Sequence, residues 1–323
     1  MKKIIFVLLL AMGFGSVHAQ KKTSVSAVVE GYNGKVIDFE FMNQEGINQQ
    51  FPYREGQNMT FDVEMEDINL LLVNAYIWIC LRPGDQIHAD IRYDGRTYKT
   101  AEFSGTPEIL PVNNVIRDIR NSRVARRYKM NILAAVVTQI PMLDYYKATQ
   151  ERLKTELGML ETKKSEIPAD IYAFVYAEHE ALLLKNLLSC PDIYAATGNG
   201  SNGTYPEDYW SVLNDYKLTD DDNALKSRAY MAFLLIYKDY MRKKEAYDKG
   251  MEYIPLKSVK AAYDDLAGFY DNAKLRENAL FVFLYNEIVA GHDLDNIKAL
   301  IKDYGKKYTK NKFFRKTLVD MIK

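Results

Sequence analysis

Leu70-Leu71-Leu72-Val73-Asn74-Ala75-Tyr76-Ile77-Trp78-Ile79-Cys80-Leu81 is apolar on both parities of an extended chain, and Arg82-Pro83-Gly84-Asp85 follows it. Leu70, Leu72, Tyr76, Trp78 and Cys80 fall on one face; Leu71, Val73, Ile77, Ile79 and Leu81 fall on the other. Successive side chains of a strand point to opposite sides, so this composition predicts central strands covered on both faces. Arg82-Pro83-Gly84-Asp85 then reads as a turn, because proline presets φ and glycine tolerates positive φ.

Outward from that stretch the period stays at two. Val25, Ala27 and Val29 alternate with polar neighbours, as do Ile37, Phe39 and Phe41, then Phe61, Val63 and Met65, then Ile87, Ala89 and Ile91. Such alternation buries one face of a strand and wets the other. Gly31 to Gly34 reads as a turn between the first two strands, with Asn33-Gly34 as a tight-hairpin signal. Several short strands with regular turns predict a small antiparallel β-sandwich or barrel.

From about residue 108 the period becomes helical. Pro141, Pro168, Pro206 and Pro255 stand at or near the starts of apolar-periodic runs, where a missing N–H does least harm. Thr219 followed by Asp220, Asp221 and Asp222 reads as a helix start. From there Tyr230, Phe233, Leu234, Tyr237 and Met241 form one apolar stripe. Gly291 and Gly305 read as helix stops. About nine helices are expected between 108 and 323, with Gly198 to Gly203 as a longer loop and no fixed repeat period.

Residues 1–19 have the form of a secretory signal peptide. Lys2 and Lys3 give the positive start, Ile4 to Phe14 a short apolar run, and Val17-His18-Ala19 the small residues before a cut at Gln20. The run is too short for a permanent membrane span. No cysteine follows the cut, so no lipoprotein anchor is expected, and the address is the periplasm or the exterior. Of 323 residues, 304 follow the cut. The whole chain carries 43 basic and 43 acidic residues, so loss of Lys2 and Lys3 leaves −2. That balance argues against general nucleic-acid binding.

No catalytic constellation emerges from the residues. Glu178-His179-Glu180 lacks the second histidine that a His-Glu-x-x-His helix needs, since position 183 is Leu. The Asp220–Asp222 cluster lacks the glycine and glutamate of a calcium loop. Gly198 to Gly203 lacks the Gly-Lys-Ser/Thr of a phosphate loop, and Ser201 is not in Gly-x-Ser-x-Gly. His88 lies on the polar parity of a strand and His292 at a helix stop. No cofactor and no metal are called for. Cys80 and Cys190 can pair in an oxidising envelope or stay as two buried thiols. Arg120, Arg123 and Arg127 share one helical face, which reads either as a docking face for an acidic partner or as a solvated face paired with acids elsewhere. Lys306, Lys307, Lys310, Lys312, Arg315, Lys316 and Lys323 make a second basic cluster, with Phe314, Leu318 and Met321 as its apolar side. The 24 tyrosines are spread over nearly every helix, which favours packing over a binding box.

Leu81-Arg-Pro-Gly-Asp-Gln-Ile-His-Ala resembles a turn in the N-terminal β domain of Bacteroidota envelope thioredoxin-like (TlpA-type) thiol–disulfide oxidoreductases. Phe103-Ser-Gly-Thr-Pro with Asn113-Asn114 resembles the motif that closes that domain. Pro206-Glu-Asp-Tyr-Trp, Leu225-Lys-Ser-Arg-Ala-Tyr-Met-Ala-Phe-Leu and Gly291 before Tyr304 are similar to its helical region. The resemblance implies the fold and the compartment over roughly residues 24–323. In that family a thioredoxin domain with Trp-Cys-x-x-Cys follows; no Cys-x-x-Cys occurs here, so no catalytic residue is carried over.

The expectation is therefore an α+β multidomain chain: signal peptide 1–19, antiparallel β domain 20–106, all-α helical domain 107–323. The leading functional expectation is a non-catalytic exported protein that binds or positions a protein partner. Alternatives are an accessory in thiol–disulfide exchange acting with a separate thioredoxin-like protein, and a glycan- or peptide-binding module using Trp78 or exposed tyrosines.

Overall fold

The computed structural model describes residues 22–42, 48–124, 137, 139–197 and 205–323. Two four-stranded sheets come first and a helical region follows. The strands are β1 (Lys22–Tyr32), β2 (Val36–Phe41), β3 (Asn48–Pro52), β4 (Asn58–Glu64), β5 (Asn69–Val73), β6 (Ile77–Leu81), β7 (Gln86–Gly95) and β8 (Thr97–Gly105). One sheet runs β4-β1-β7-β8 and the other β3-β2-β5-β6. All neighbours are antiparallel except β1 and β7, which pair in parallel from Ser24↔Gln86 onward.

The alternating positions meet in one core. Val25, Ala27, Val29, Ile37, Phe39, Ile87, Ala89 and Ile91 are all buried. Phe39 and Phe61 bring the two sheets together, their ring centroids 5.2 Å apart. Each fully buried Ile, Val or Phe contributes about 1.5–3 kcal/mol.

Asn33-Gly34 does not close a hairpin. Strands β1 and β2 lie in different sheets, so the turn crosses the sandwich. The register of β1 on β7 slips between Glu30 and Tyr32, and Asn33 N–H bonds to Gly95 O instead. Leu70–Leu81 is itself a hairpin, paired Leu70↔Cys80 and Leu72↔Trp78. Its turn residues Asn74 and Ala75 have φ of 49° and 55°, the double left-handed geometry that suits the strand twist. Strand β6 is thus an edge rather than a central strand. It is buried because a helix lies along it.

Two motifs of the β domain prove architectural. Asp85 Oδ2 accepts the Arg82 N–H at 2.7 Å, and Thr23 Oγ1 accepts from Gly84 N–H at 2.9 Å, tying the Arg-Pro-Gly-Asp turn to the start of β1. At the exit from β8, Gly105 has φ of 136°, and a Cβ there would stand 2.1 Å from the Gln86 carbonyl oxygen. Only glycine fits. Thr106 Oγ1 then accepts from Gln86 N–H at 2.8 Å.

Among the described residues there are eight α-helices: α1 (Leu110–Val124), α2 (Met142–Thr162), α3 (Ala169–Ala196), α4 (Arg228–Asp248), α5 (Val259–Phe269), α6 (Ala273–Ala290), α7 (Leu294–Lys307) and α8 (Lys312–Met321). Pro141 and Pro168 cap α2 and α3 as expected, and Gly291 ends α6 with φ of 69°. The Thr219–Asp222 cluster does not start α4. Asp221 Oδ1 accepts from Asn223 and Ala224 N–H and holds a single 3-10 turn, while Ser227 caps the helix itself. Gly305 is no stop either. It lies inside α7, where its bare Cα lets Arg315 of α8 approach; a Cβ would sit 3.2 Å from that guanidinium.

The helical core is held by phenols. The hydroxyls of Tyr194, Tyr209, Tyr230, Tyr240, Tyr270 and Tyr304 donate to the backbone oxygens of Ile140, Leu188, Thr219, Tyr209, Leu234 and Glu277 at 2.6–3.0 Å. Tyr209 reaches its carbonyl near Pro191, which breaks the hydrogen-bond ladder inside α3. These six tyrosines pack with satisfied polar tips. The two cores meet along α1–α3: Ile109, Ile116 and Ile119 of the α1 region, with Ile171, Phe174 and Val175 of α3, belong to the core of the sheets.

Candidate functional site

The strongest concentration of ionisable groups lies inside the seam between sheets and helices. Helix α1 packs on β6 and β8, and Asn113 fixes it there. The Asn113 amide accepts from Cys80 N–H at 2.7 Å and donates to Cys80 O at 3.0 Å and to Ile109 O at 3.0 Å. About two and nearly three turns further on, Arg120 and Arg123 face inward. They are 6% and 3% exposed, so they do not form a solvent-facing basic surface. Arg127 lies outside the described residues.

Glu156 of α2, fully buried, sits at the centre of this cluster. It accepts from Arg123 Nε at 2.9 Å and Nη2 at 2.5 Å, a two-pronged pair, and from Arg152 Nε at 3.1 Å. His179 of α3 places Nδ1 4.0 Å from the same carboxylate. Burial raises the Glu156 pKa, but the Arg123 hydrogen bonds and the charges of Arg123 and Arg152 outweigh it, and the net direction is down. Burial, reinforced by the charge of Arg123, drives His179 down to about 3, so it is neutral. The Arg120 guanidinium lies 4.1 Å from the Tyr76 ring centroid and 5.5 Å from that of Trp78, which in turn packs 5.5 Å from the His179 ring. Trp78 is 7% exposed and is a wall of this cluster, not a sugar platform.

The neighbours of His179 look elsewhere. Glu178 accepts from Ser227 Oγ at 2.7 Å and Ala229 N–H at 3.1 Å, bracing the start of α4. Glu180 meets the Tyr216 hydroxyl at 3.3 Å, and burial lifts its pKa to about 7. His88 pairs with Ser26 at 2.7 Å and His292 with Glu287 at 3.1 Å, both at the surface. His18 and Ser201 lie outside the described residues.

Cys80 and Cys190 are free and buried, the first in the sheet core and the second in the helical core. Burial pushes the Cys80 thiol far up and the Cys190 thiol up to about 12. A thiol held in this form is a poor nucleophile. No group of three or more potential metal ligands occurs among the described residues.

Open grooves mark the surface of the described residues, two of which matter here. A polar one of about 510 Å³ runs along the Arg82–Asp85 turn, between Asp67, Glu108, Asp170 and Lys226. Its charges are paired across the seam, Lys226 with Asp67 at 2.8 Å and Arg82 with Asp170 at 4.0 Å. An apolar one of about 270 Å³ lies beside the α4–α5 connection, lined by Met251, Ile254 and Leu256 with Arg242 and Asp265 on its floor. At the C-terminus Phe314 stacks on Phe281 at 4.1 Å and Leu318 is fully buried, so α8 spends its apolar side on α6. No helix among the described residues is long and apolar enough to cross a membrane.

The sequence reading missed Glu156, Arg152 and the apolar connection. Arg152 and Glu156 stand at i and i+4, a spacing that signals a helical ion pair. Met251, Ile254 and Leu256 follow Gly250 and flank Pro255 with no period, which is the mark of apolar residues placed on a loop. Comparison with protein-family models, with curated proteins and with solved structures finds no match to this chain.

Proposed function

We propose that the mature chain is an exported, non-catalytic protein of the periplasm or exterior that binds or positions a protein partner. The observation that carries this reading is the apolar groove beside the α4–α5 connection. Met251, Ile254 and Leu256 are 64%, 73% and 48% exposed within one concavity. Tyr247 nearby stacks on Trp210 at 4.8 Å and offers its outer face to solvent. Three aliphatic side chains held in water are area that association would bury, at about 25 cal/mol per Å². The charges round them are already paired, Arg242 with Asp265 at 2.7 Å and Lys249 with Glu245 at 2.6 Å. An apolar centre with a polar rim is the usual build of a protein interface. The partner expected is a protein that inserts an apolar side chain between Ile254 and Leu256.

Export rests on Lys2-Lys3, the run Ile4–Phe14 and Val17-His18-Ala19. The deep burial of both thiols supports a role that does not cycle them.

The test places a photo-crosslinker at Ile254 of the full chain expressed with its leader. A mature product beginning at Gln20 and one discrete crosslinked envelope protein are expected. Met251→Ser/Ile254→Ser/Leu256→Ser should lose that crosslink at unchanged Tm. A crosslink to a second copy, a crosslink that survives the triple substitution, or substrate turnover by the pure protein would overturn the reading.

A further inference from the structure

The buried cluster at the seam is charge-incomplete. Among the described residues, Arg120 and Arg123 gather with Arg152 round one carboxylate, that of Glu156, and the first two alone already outnumber it. Each of these side chains is less than a tenth exposed. Among the described residues several of the cluster's polar atoms are idle: Arg120 Nε, Arg123 Nη1 and both ring nitrogens of His179 have no hydrogen-bond partner. Native interiors leave few such groups, and an unpaired buried charge costs more than an unpaired neutral one. Residues 125–136, which follow α1 in the chain, contain neither Asp nor Glu, so that stretch brings no compensating carboxylate.

We infer that the seam binds one small inorganic anion of halide size, held by the idle donors of Arg120 and Arg123 with the ring N–H of His179 beside them. Water could satisfy donors but not the excess positive charge. Neutral His179 keeps one N–H to give. Burial favours a monatomic ion, since a sulfate or phosphate has to bring four oxygens into a core whose walls are Tyr76 and Trp78. The ion locks α1, α2 and α3 to the edge of the sheet, and its site is separate from the apolar groove.

The test uses the mature protein and chloride as the probe. At fixed ionic strength, replacing gluconate by chloride should raise Tm by about 2–4 °C per tenfold increase once the site is loading. Crystals grown in bromide should show an anomalous peak within hydrogen-bonding reach of Arg123 and His179. Arg120→Met should remove the chloride dependence; if that variant does not fold, the bromide peak in the unaltered chain decides. Equal Tm in gluconate and chloride, stabilisation by sulfate but not halide, or no bromide at the cluster would each overturn the assignment.

Discussion

Replacing Glu156 by Gln keeps the size of the side chain and deletes the one charge that the seam arginines share. Glu156 is fully buried and takes two bonds from Arg123 and one from Arg152, all between 2.5 and 3.1 Å. At an effective dielectric of about 20 and charge centres near 4 Å, each pair is worth about 4 kcal/mol before desolvation. Removing one partner of a buried pair typically costs about 3–5 kcal/mol, because the other is left charged and dry. Glu156→Gln should therefore lose about 3–5 kcal/mol in urea unfolding, read as a lower midpoint at unchanged m. The chain has two tryptophans, one in each core: Trp78 on His179 and Trp210 among the helical tyrosines. Loss of the seam should shift both signals together. Adding Arg123→Met to Glu156→Gln should recover part of the loss, since the orphaned cation goes with it. A loss under about 1 kcal/mol, or strict additivity of the two substitutions, would refute the picture of a charge-coupled seam.

The remaining predictions concern the same junction. His179 titrates at about 3 when folded and near 6.5 when unfolded, so the unfolded chain takes up the proton first. Stability present above pH 6.5 should fall by about 3 kcal/mol by pH 4 from this group alone, and His179→Phe should flatten that part of the stability–pH curve. Asn113→Ala leaves the N–H and C=O of Cys80 buried without their partner, and should cost about 2–5 kcal/mol by thermal or urea unfolding. Gly105→Ala drives a Cβ into the Gln86 oxygen at a φ of 136°, and should lower Tm by several degrees more than alanine at Gly158, where a Cβ meets nothing.

The alternation of Val25, Ala27 and Val29, and of Ile87, Ala89 and Ile91, was enough to find the strands, since each buries one parity. Which strands share a sheet was not legible. It depends on the slip at Glu30–Tyr32 and on the parallel pairing of β1 with β7, which join residues some sixty positions apart. Leu70–Leu81 showed two covered faces but hid its turn, because Asn74-Ala75 lacks the usual glycine. Arg120 and Arg123 share a helical face as their spacing says. That face is buried because Tyr76, Trp78 and Glu156 come from three other segments, and one helix read alone carries no trace of them. Thr219–Asp222 has the chemistry of a cap and caps a 3-10 turn, Ser227 taking the helix four residues after Asn223. Gly305 has the composition of a stop; its role is room for Arg315, a contact made by a different helix.

Strand β6 is the last member of its sheet, and an open last member is a template on which a strand from another molecule can grow. The Asn113 amide answers the N–H and C=O of Cys80 as a neighbouring strand would, with side-chain atoms in place of main chain. Helix α1 is therefore a stopper as well as a support. Anything that lifts it would uncover Ile77–Leu81, five consecutive apolar residues with no charge among them. The first intermolecular species formed by a destabilised seam should then be β-rich oligomers nucleated at that segment, ahead of any melting of the distal helices α5–α8.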